Sequence, residues 1–153
     1  HAHRFAPAAV VDIATLTGAI SMALGPLAAA LVTGDEAVAA EVKKKGGRVR
    51  IDTNGHGNLI HKRNILPELA GLVDAVSISL NAQNAELYER ISQPKFGLQS
   101  YDAVKEFIAE AVKYIPSVTA TVVTVPGVDV EACRKITDGL GAKLRVREYN
   151  VVG

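Results

Sequence analysis

The chain has 153 residues, of which 48% are hydrophobic and 22% are charged, and its formal net charge is +1 at pH 7. These values are typical of one globular domain and exclude a disordered or fibrous chain. The small net charge argues against nucleic-acid binding by bulk electrostatics, and no apolar run approaches the ~20 residues of a membrane span. Because the N-terminus lacks a signal-peptide pattern, we expect a cytoplasmic protein.

Cys133 is the only cysteine of the sequence. A single thiol excludes an internal disulfide and any metal or iron–sulfur site that needs two or more thiolates from this chain. His56 and His61 are five residues apart around a predicted loop, and a structural role explains them more simply than metal ligation. We therefore predict no metal site.

The composition changes abruptly near Val42 and Lys43. Arg4 is the only Lys or Arg residue before Lys43, and Phe5 is the only aromatic residue there. A buried N-terminal layer would explain this change, and so would a junction near residues 42–45 between segments of different origin.

Strands and helices are predicted to alternate along the chain, which indicates a mostly parallel α/β sheet. The six predicted strands span residues 9–16, 29–33, 48–53, 75–81, 118–125 and 143–149. The predicted helices span residues 35–45, 67–73, 101–115 and 130–138. Ser100 is expected to cap the third of these helices and Asp129 the fourth.

The predicted strands differ in their hydrophobic pattern. The first two are continuously apolar, whereas those at 48–53, 75–81 and 143–149 alternate between polar and apolar residues, which places helices on one face and leaves the other face polar. A polar face in a parallel sheet favours a curved open sheet or partial (βα)6 barrel, with a flat three-layer αβα sandwich as the alternative. We expect residues 1–153 to form a single domain.

Asp12 is an acidic residue in an apolar predicted strand, and a polar turn follows it at the carboxyl end, where parallel sheets bind ligands. The simplest role of Asp12 is to accept hydrogen bonds from this turn. Residues 2–42, with the run Asp-Ile-Ala-Thr-Leu-Thr-Gly-Ala, resemble the leucyl aminopeptidase family. The resemblance implies a substrate cleft lined by Thr15, Leu16, Thr17 and Gly18. The metal-binding Asn-Thr-Asp-Ala-Glu-Gly motif of the family is missing from this sequence.

Polar residues also follow the later predicted strands, at the ends where a βα architecture concentrates chemistry. From about residue 45 to 153 the sequence resembles the C-terminal two-thirds of a radical S-adenosylmethionine protein, of the group encoded beside TatD-type nucleases. The resemblance implies that S-adenosylmethionine would contact Thr53, Asn54, Gly55, Ser79, Asn81, Val125 and Pro126. The cluster of that family needs three closely spaced cysteines, which this chain lacks.

Each of the two segments thus lacks the metal-holding residues of the family that it resembles. The leading hypothesis is an engineered or recombined chimera of two metalloenzyme fragments that has no catalytic activity of its own. One alternative is weak binding of S-adenosylmethionine, a nucleoside or an anion at the strand ends, and another is residual metal-dependent aminopeptidase activity. We expect no resident cofactor, no nucleic-acid or membrane partner, and a homodimer formed through an exposed sheet edge or apolar patch.

Overall fold

The computed structural model describes residues 43, 44, 46 and 48–149. The strands of this part of the chain are β1 (Arg50–Thr53), β2 (Ala75–Ser79), β3 (Ser117–Val123) and β4 (Lys143–Arg147). Its helices are α1 (Gly57–His61), α2 (Leu66–Leu69), α3 (Ala85–Ser92), α4 (Gln99–Tyr114) and α5 (Val130–Gly139). Strands and helices alternate, which confirms the predicted α/β class.

The described strands form one parallel sheet in the order β1-β2-β3-β4. The register pairs Ile51 with Val76, Val76 with Val118, and Ala120 with Leu144. Because strand–helix–strand crossovers are right-handed, a sheet in sequential order carries its connecting helices on one face. The described residues therefore form an open two-layer arrangement, and the flat three-layer sandwich is not seen among them.

The prediction of six strands is confirmed only for the last four. The predicted strands at residues 9–16 and 29–33 lie outside the described residues, as does the predicted helix at 35–45 apart from Lys43 and Lys44. The sheet of the described residues thus has four strands rather than six, and the (βα)6 barrel stays a prediction.

The alternating pattern of β2 sorts its side chains onto two faces, as predicted, and β3 shows the same alternation. One face is buried together with the apolar side of α4 in a single core, and its most buried members are at most 2% exposed: Val76, Ile78, Ala120, Val122, Val104 and Ile108. The opposite face carries the hydroxyl side chains of these strands, Ser77, Ser79, Thr119 and Thr121. Burial of the apolar face stabilises the layer of helices on the sheet.

The long helix α4 follows the predicted apolar stripe, but it begins earlier than predicted. The amide of Gly97 donates to the carbonyl of Pro94 at 3.1 Å, and this turn leads into a helix whose N-cap is Leu98. The prediction that Ser100 caps the helix is therefore wrong, since Ser100 lies inside it and is buried. No helix among the described residues has the length and apolar character needed to cross a membrane.

Candidate functional site

The carboxyl ends of β1, β2 and β3 lie at the same edge of the sheet. The parallel register places Thr53 beside Ile78 and Ser79 beside Thr121, so the loops that follow these strands are neighbours. The predicted cofactor-binding residues all lie in these strand ends or in the loops after them: Thr53, Asn54, Gly55, Ser79, Asn81, Val125 and Pro126. We call these three loops the C-terminal edge of the sheet.

The loop after β1 is held by its own side chains. The Thr53 hydroxyl oxygen accepts from the amide of Gly55 at 3.1 Å, and the Asn54 Oδ1 accepts from the amide of His56 at 3.1 Å. Gly55 is buried and has φ +78, a conformation that favours glycine. The oxygens that sequence reasoning assigned to a cofactor therefore shape the turn, while the side chain of Asn54 stays exposed.

The loop after β2 is fixed in a similar way. The amides of Leu80 and Asn81 both donate to the carbonyl of Thr121, at 3.0 and 3.1 Å. Asn81 has φ +60, and its Nδ2 donates to the Ser92 hydroxyl at 3.2 Å. Asn81 thus directs the chain from the sheet toward α3, because asparagine tolerates this left-handed conformation better than most residues.

The loop after β3 contains Val125 and Pro126 and is joined to the loop after β2. The amide of Val125 donates to the carbonyl of Val123 at 2.8 Å, which turns the chain sharply. Gln83 bridges the two loops, since its Nε2 donates to the carbonyl of Gly127 at 3.0 Å and its Oε1 accepts from the amide of Asp129 at 3.1 Å. The side chain of Asp129 in turn accepts from the amide of Ala132 at 3.0 Å, which confirms the predicted cap of α5.

Beside the Gln83 bridge lies an open pocket of ≈ 290 Å³ that sequence reasoning missed. Its lining is mostly polar and comprises Gln83, Asn84, Glu86, Leu87, Arg90 and Gly127. The signal that could have found it is Asn84, whose side chain caps α3 by accepting from the amide of Leu87 at 2.9 Å. The pocket is a concave polar surface next to Pro126, at the edge where the sequence predicts a binding site.

His56 and Tyr88 form a buried polar pair beneath the C-terminal edge. His56 is 5% exposed and Tyr88 is 1% exposed, and 3.0 Å separates the His56 Nε2 from the Tyr88 hydroxyl oxygen. Burial lowers the pKa of His56 and raises the pKa of Tyr88 to about 12. The ring of Phe96 also meets His56 edge-on. Burial therefore favours the neutral form of His56, whose Nε2 shares a hydrogen bond with the Tyr88 hydroxyl.

We expect the free energy of unfolding to fall as the pH is lowered below about 6.5. The unfolded chain binds a proton on His56 near that pH, whereas the folded chain does so only at lower pH because His56 is buried. Urea unfolding at pH 5 and pH 7.5 measures the difference, which His56→Gln should reduce. The control His61→Gln should leave this difference in the free energy of unfolding unchanged. If His56→Gln also left it unchanged, the pH dependence would not come from His56.

The described residues do not supply the three closely spaced thiolates that the iron–sulfur cluster of the resembled family needs. Cys133 is fully buried in α5, and burial raises the pKa of its thiol to about 11. The thiol is therefore protonated and inaccessible near neutral pH, and it does not suit ligation of iron. The described residues also contain no group of three or more His, Cys, Asp or Glu side chains placed to hold a metal ion.

The described residues form an α/β fold in which polar loops follow the carboxyl ends of parallel strands. Ligand sites of α/β proteins lie at such strand ends. Comparison with known families concerns the other end of the chain. Residues 1–52 match the model of the cytosol aminopeptidase family, catalytic domain. That match includes Thr15, Leu16, Thr17 and Gly18, which lie outside the described residues, and it extends past Val42 and Lys43 into β1.

The curated relatives agree with this match. A probable cytosol aminopeptidase of Azoarcus sp. (strain BH72) is 52% identical over 46 residues, and that of Roseiflexus castenholzii is 50% identical over 46 residues, in each case 30% of this chain and 9% of the relative. That of Aromatoleum aromaticum is 55% identical over 42 residues, which are 28% of this chain and 8% of the relative. The chain thus spans about a tenth of the length of these relatives.

These matches correct the leading hypothesis from the sequence. An engineered or recombined chimera without catalytic activity is the wrong interpretation, because the findings point to a segment of a cytosol aminopeptidase catalytic domain. The alternative of residual aminopeptidase activity fits them better. Only a short part of that domain is matched, and a full catalytic domain is not shown.

Proposed function

We propose that this protein takes part in the metal-dependent removal of N-terminal residues from peptides, with residues 1–52 forming part of the substrate cleft. The observation that carries the proposal is the match of those residues to the catalytic domain of the cytosol aminopeptidase family. Identities of 50% and 52% over 46 residues to probable cytosol aminopeptidases also support it.

The chemistry of the matched segment centres on Asp12 and the turn that the sequence predicts after it. A carboxylate in an apolar segment needs hydrogen-bond donors. The sequence after Asp12 offers such donors in the hydroxyls of Thr15 and Thr17 and the amides of residues 15–18. In this proposal Asp12 holds the shape of the turn, and the turn lines the cleft that receives the peptide.

The proposed hydrolysis would also need a metal ion, which would lower the pKa of bound water and polarise the peptide carbonyl. Within residues 48–149 no cluster of His, Cys, Asp and Glu side chains suits such an ion. The described residues do not fit such an ion, and the proposal assigns none of them to it.

We expect the 153-residue chain to hydrolyse leucine p-nitroanilide slowly with added Mn²⁺ or Zn²⁺ and to lose this activity with EDTA. Asp12→Asn should lower kcat/KM at least about ten-fold, because hydrogen bonds to a charged group contribute about 1.5–3 kcal/mol. The matched control Asp35→Asn changes an acid of the same segment outside the 12–18 run and should leave kcat/KM unchanged. A rate of hydrolysis no higher than that of the metal alone would contradict the proposal. Equal losses of kcat/KM in Asp12→Asn and Asp35→Asn would contradict it as well.

We further propose that residues 45–153 share their origin with radical S-adenosylmethionine proteins. The parallel sheet with one hydroxyl-bearing face supports this origin, as do the polar loops at its C-terminal edge. The radical chemistry of that family is not part of the proposal, since the only thiol of the chain, that of Cys133, is buried and protonated. The predicted single domain of residues 1–153 belongs to this proposal, whereas the aminopeptidase match runs past the predicted junction near residues 42–45, as far as residue 52.

A further inference from the structure

The last strand of the sheet presents a row of three cations. Lys143, Arg145 and Arg147 are exposed and occupy alternate positions of β4, so they project from one face of the sheet about 6.6 Å apart. None of the ion pairs among residues 48–149 includes any of the three. This face is the hydroxyl-bearing one, because the register pairs Lys143 with Thr119 and Arg145 with Thr121.

The same strand carries main-chain groups that point away from the sheet. Among the described strands β4 pairs only with β3. The carbonyl of Arg147 accepts from the amide of Thr124 at 3.0 Å, so the main chain of Arg147 faces β3. Alternate residues of a parallel strand turn their amides and carbonyls in opposite directions, which leaves those of Leu144 and Val146 on the outer side. We call this outer side, with its three cations, the β4 edge.

The opposite face of β4 is apolar and incompletely covered. Leu144 is half-buried and packs against the core, whereas Val146 is 38% exposed. A strand added beside β4 would place its own side chains next to Val146 on this face and cover it. The β4 edge therefore offers main-chain hydrogen bonds, a cationic face and an apolar face.

We propose that the β4 edge binds an extended peptide segment in which acidic and apolar residues alternate. The peptide adds a strand to the sheet by main-chain hydrogen bonds. Its acidic side chains lie opposite Lys143, Arg145 and Arg147, where cross-strand pairs of opposite charge are favourable. Its apolar side chains fall on the other face and cover Val146.

A second copy of this chain does not suit the β4 edge. Antiparallel pairing of two β4 strands would set Lys and Arg residues opposite one another, and like charges in direct cross-strand pairs are destabilising. Charged residues also protect exposed edges against aggregation. If the three cations only protect the β4 edge against aggregation, the edge binds no peptide. The experiment must distinguish this role from peptide binding.

The proposal is tested with the full 153-residue chain and a fluorescent peptide of alternating Glu and Val, by fluorescence anisotropy at low salt. We expect saturable binding that K143Q/R145Q/R147Q weakens about ten-fold or more. The matched control K62Q/K95Q/K135Q removes three exposed cations elsewhere and should change the Kd less than two-fold. The Glu-Val peptide N-methylated at alternate amides keeps its charge but cannot form the ladder, and it should not bind.

Four results would overturn the proposal. No binding up to millimolar peptide would leave the cations with a protective role. Equal binding of the N-methylated peptide, or of a peptide with its Glu residues in one block, would show attraction without strand addition. Tighter binding of a single-stranded oligonucleotide that the same triple variant abolishes would assign the β4 edge to nucleic acid instead.

Discussion

Replacing Gly55 with alanine is expected to lower the free energy of unfolding by about 3 kcal/mol. Gly55 has φ +78, where an L-residue costs about 1–2 kcal/mol. A Cβ atom there would lie 2.9 Å from Ile78 Cγ2 and 3.4 Å from both Cγ atoms of Val104. Forcing a methyl group into such a packed core adds about 1–3 kcal/mol. Urea denaturation measures the loss.

Gly71 provides a matched control for this substitution. Its φ of +76 is nearly the same, but a Cβ atom at Gly71 would have no neighbour within 4 Å. Gly71→Ala should therefore cost only the backbone contribution of about 1–2 kcal/mol. Equal losses for the two variants would show that crowding at Gly55 contributes nothing.

Replacing Ile78 with alanine is expected to lower the free energy of unfolding by about 3 kcal/mol, within the usual range for a buried large-to-small change. Ile78 is fully buried in β2, between the loop after β1 and helix α4. The control Ile60→Ala changes an isoleucine that is 48% exposed and should cost less than about 1 kcal/mol. A small loss for Ile78→Ala would contradict the described core.

The two substitutions should also be coupled. In Ile78→Ala the Cγ2 atom that crowds position 55 is gone, so the double variant should lose about 1 kcal/mol less than the sum of the single losses. Strict additivity would indicate that the loop after β1 shifts away from β2 when Gly55 is replaced.

Elements with a strong hydrophobic period can be predicted from the sequence. The start of a helix cannot be predicted in this way where a local turn fixes it. The alternation of Val76, Ser77 and Ile78 predicts β2, and the apolar stripe of α4 is visible in the sequence because both patterns extend over several residues. The short helix α1 starts at Gly57 and has no side-chain cap, so no capping residue in the sequence predicts it. Ser100 was misplaced because the turn at Pro94 starts the helix before it.

The candidate site was predictable in its position but not in its contacts. Parallel strands end at one edge, so topology alone brings Asn54 and Asn81 to neighbouring loops. Which atoms remain available depends on local hydrogen bonds, such as that from Asn81 to Ser92, and these form only in the folded turn. The pocket beside Gln83 depends on contacts between residues more than 40 positions apart, which periodicity does not reveal.

The sequential order of the sheet has a consequence for how the domain opens. Each described strand touches only the strands that precede and follow it in the chain, so β2 and β3 have two neighbours and β1 and β4 have one. Local opening that starts at an outer strand leaves the central pair and α4 intact. Within the described residues the sheet can therefore open from β1 or from β4, one strand at a time, while β2, β3 and α4 stay folded.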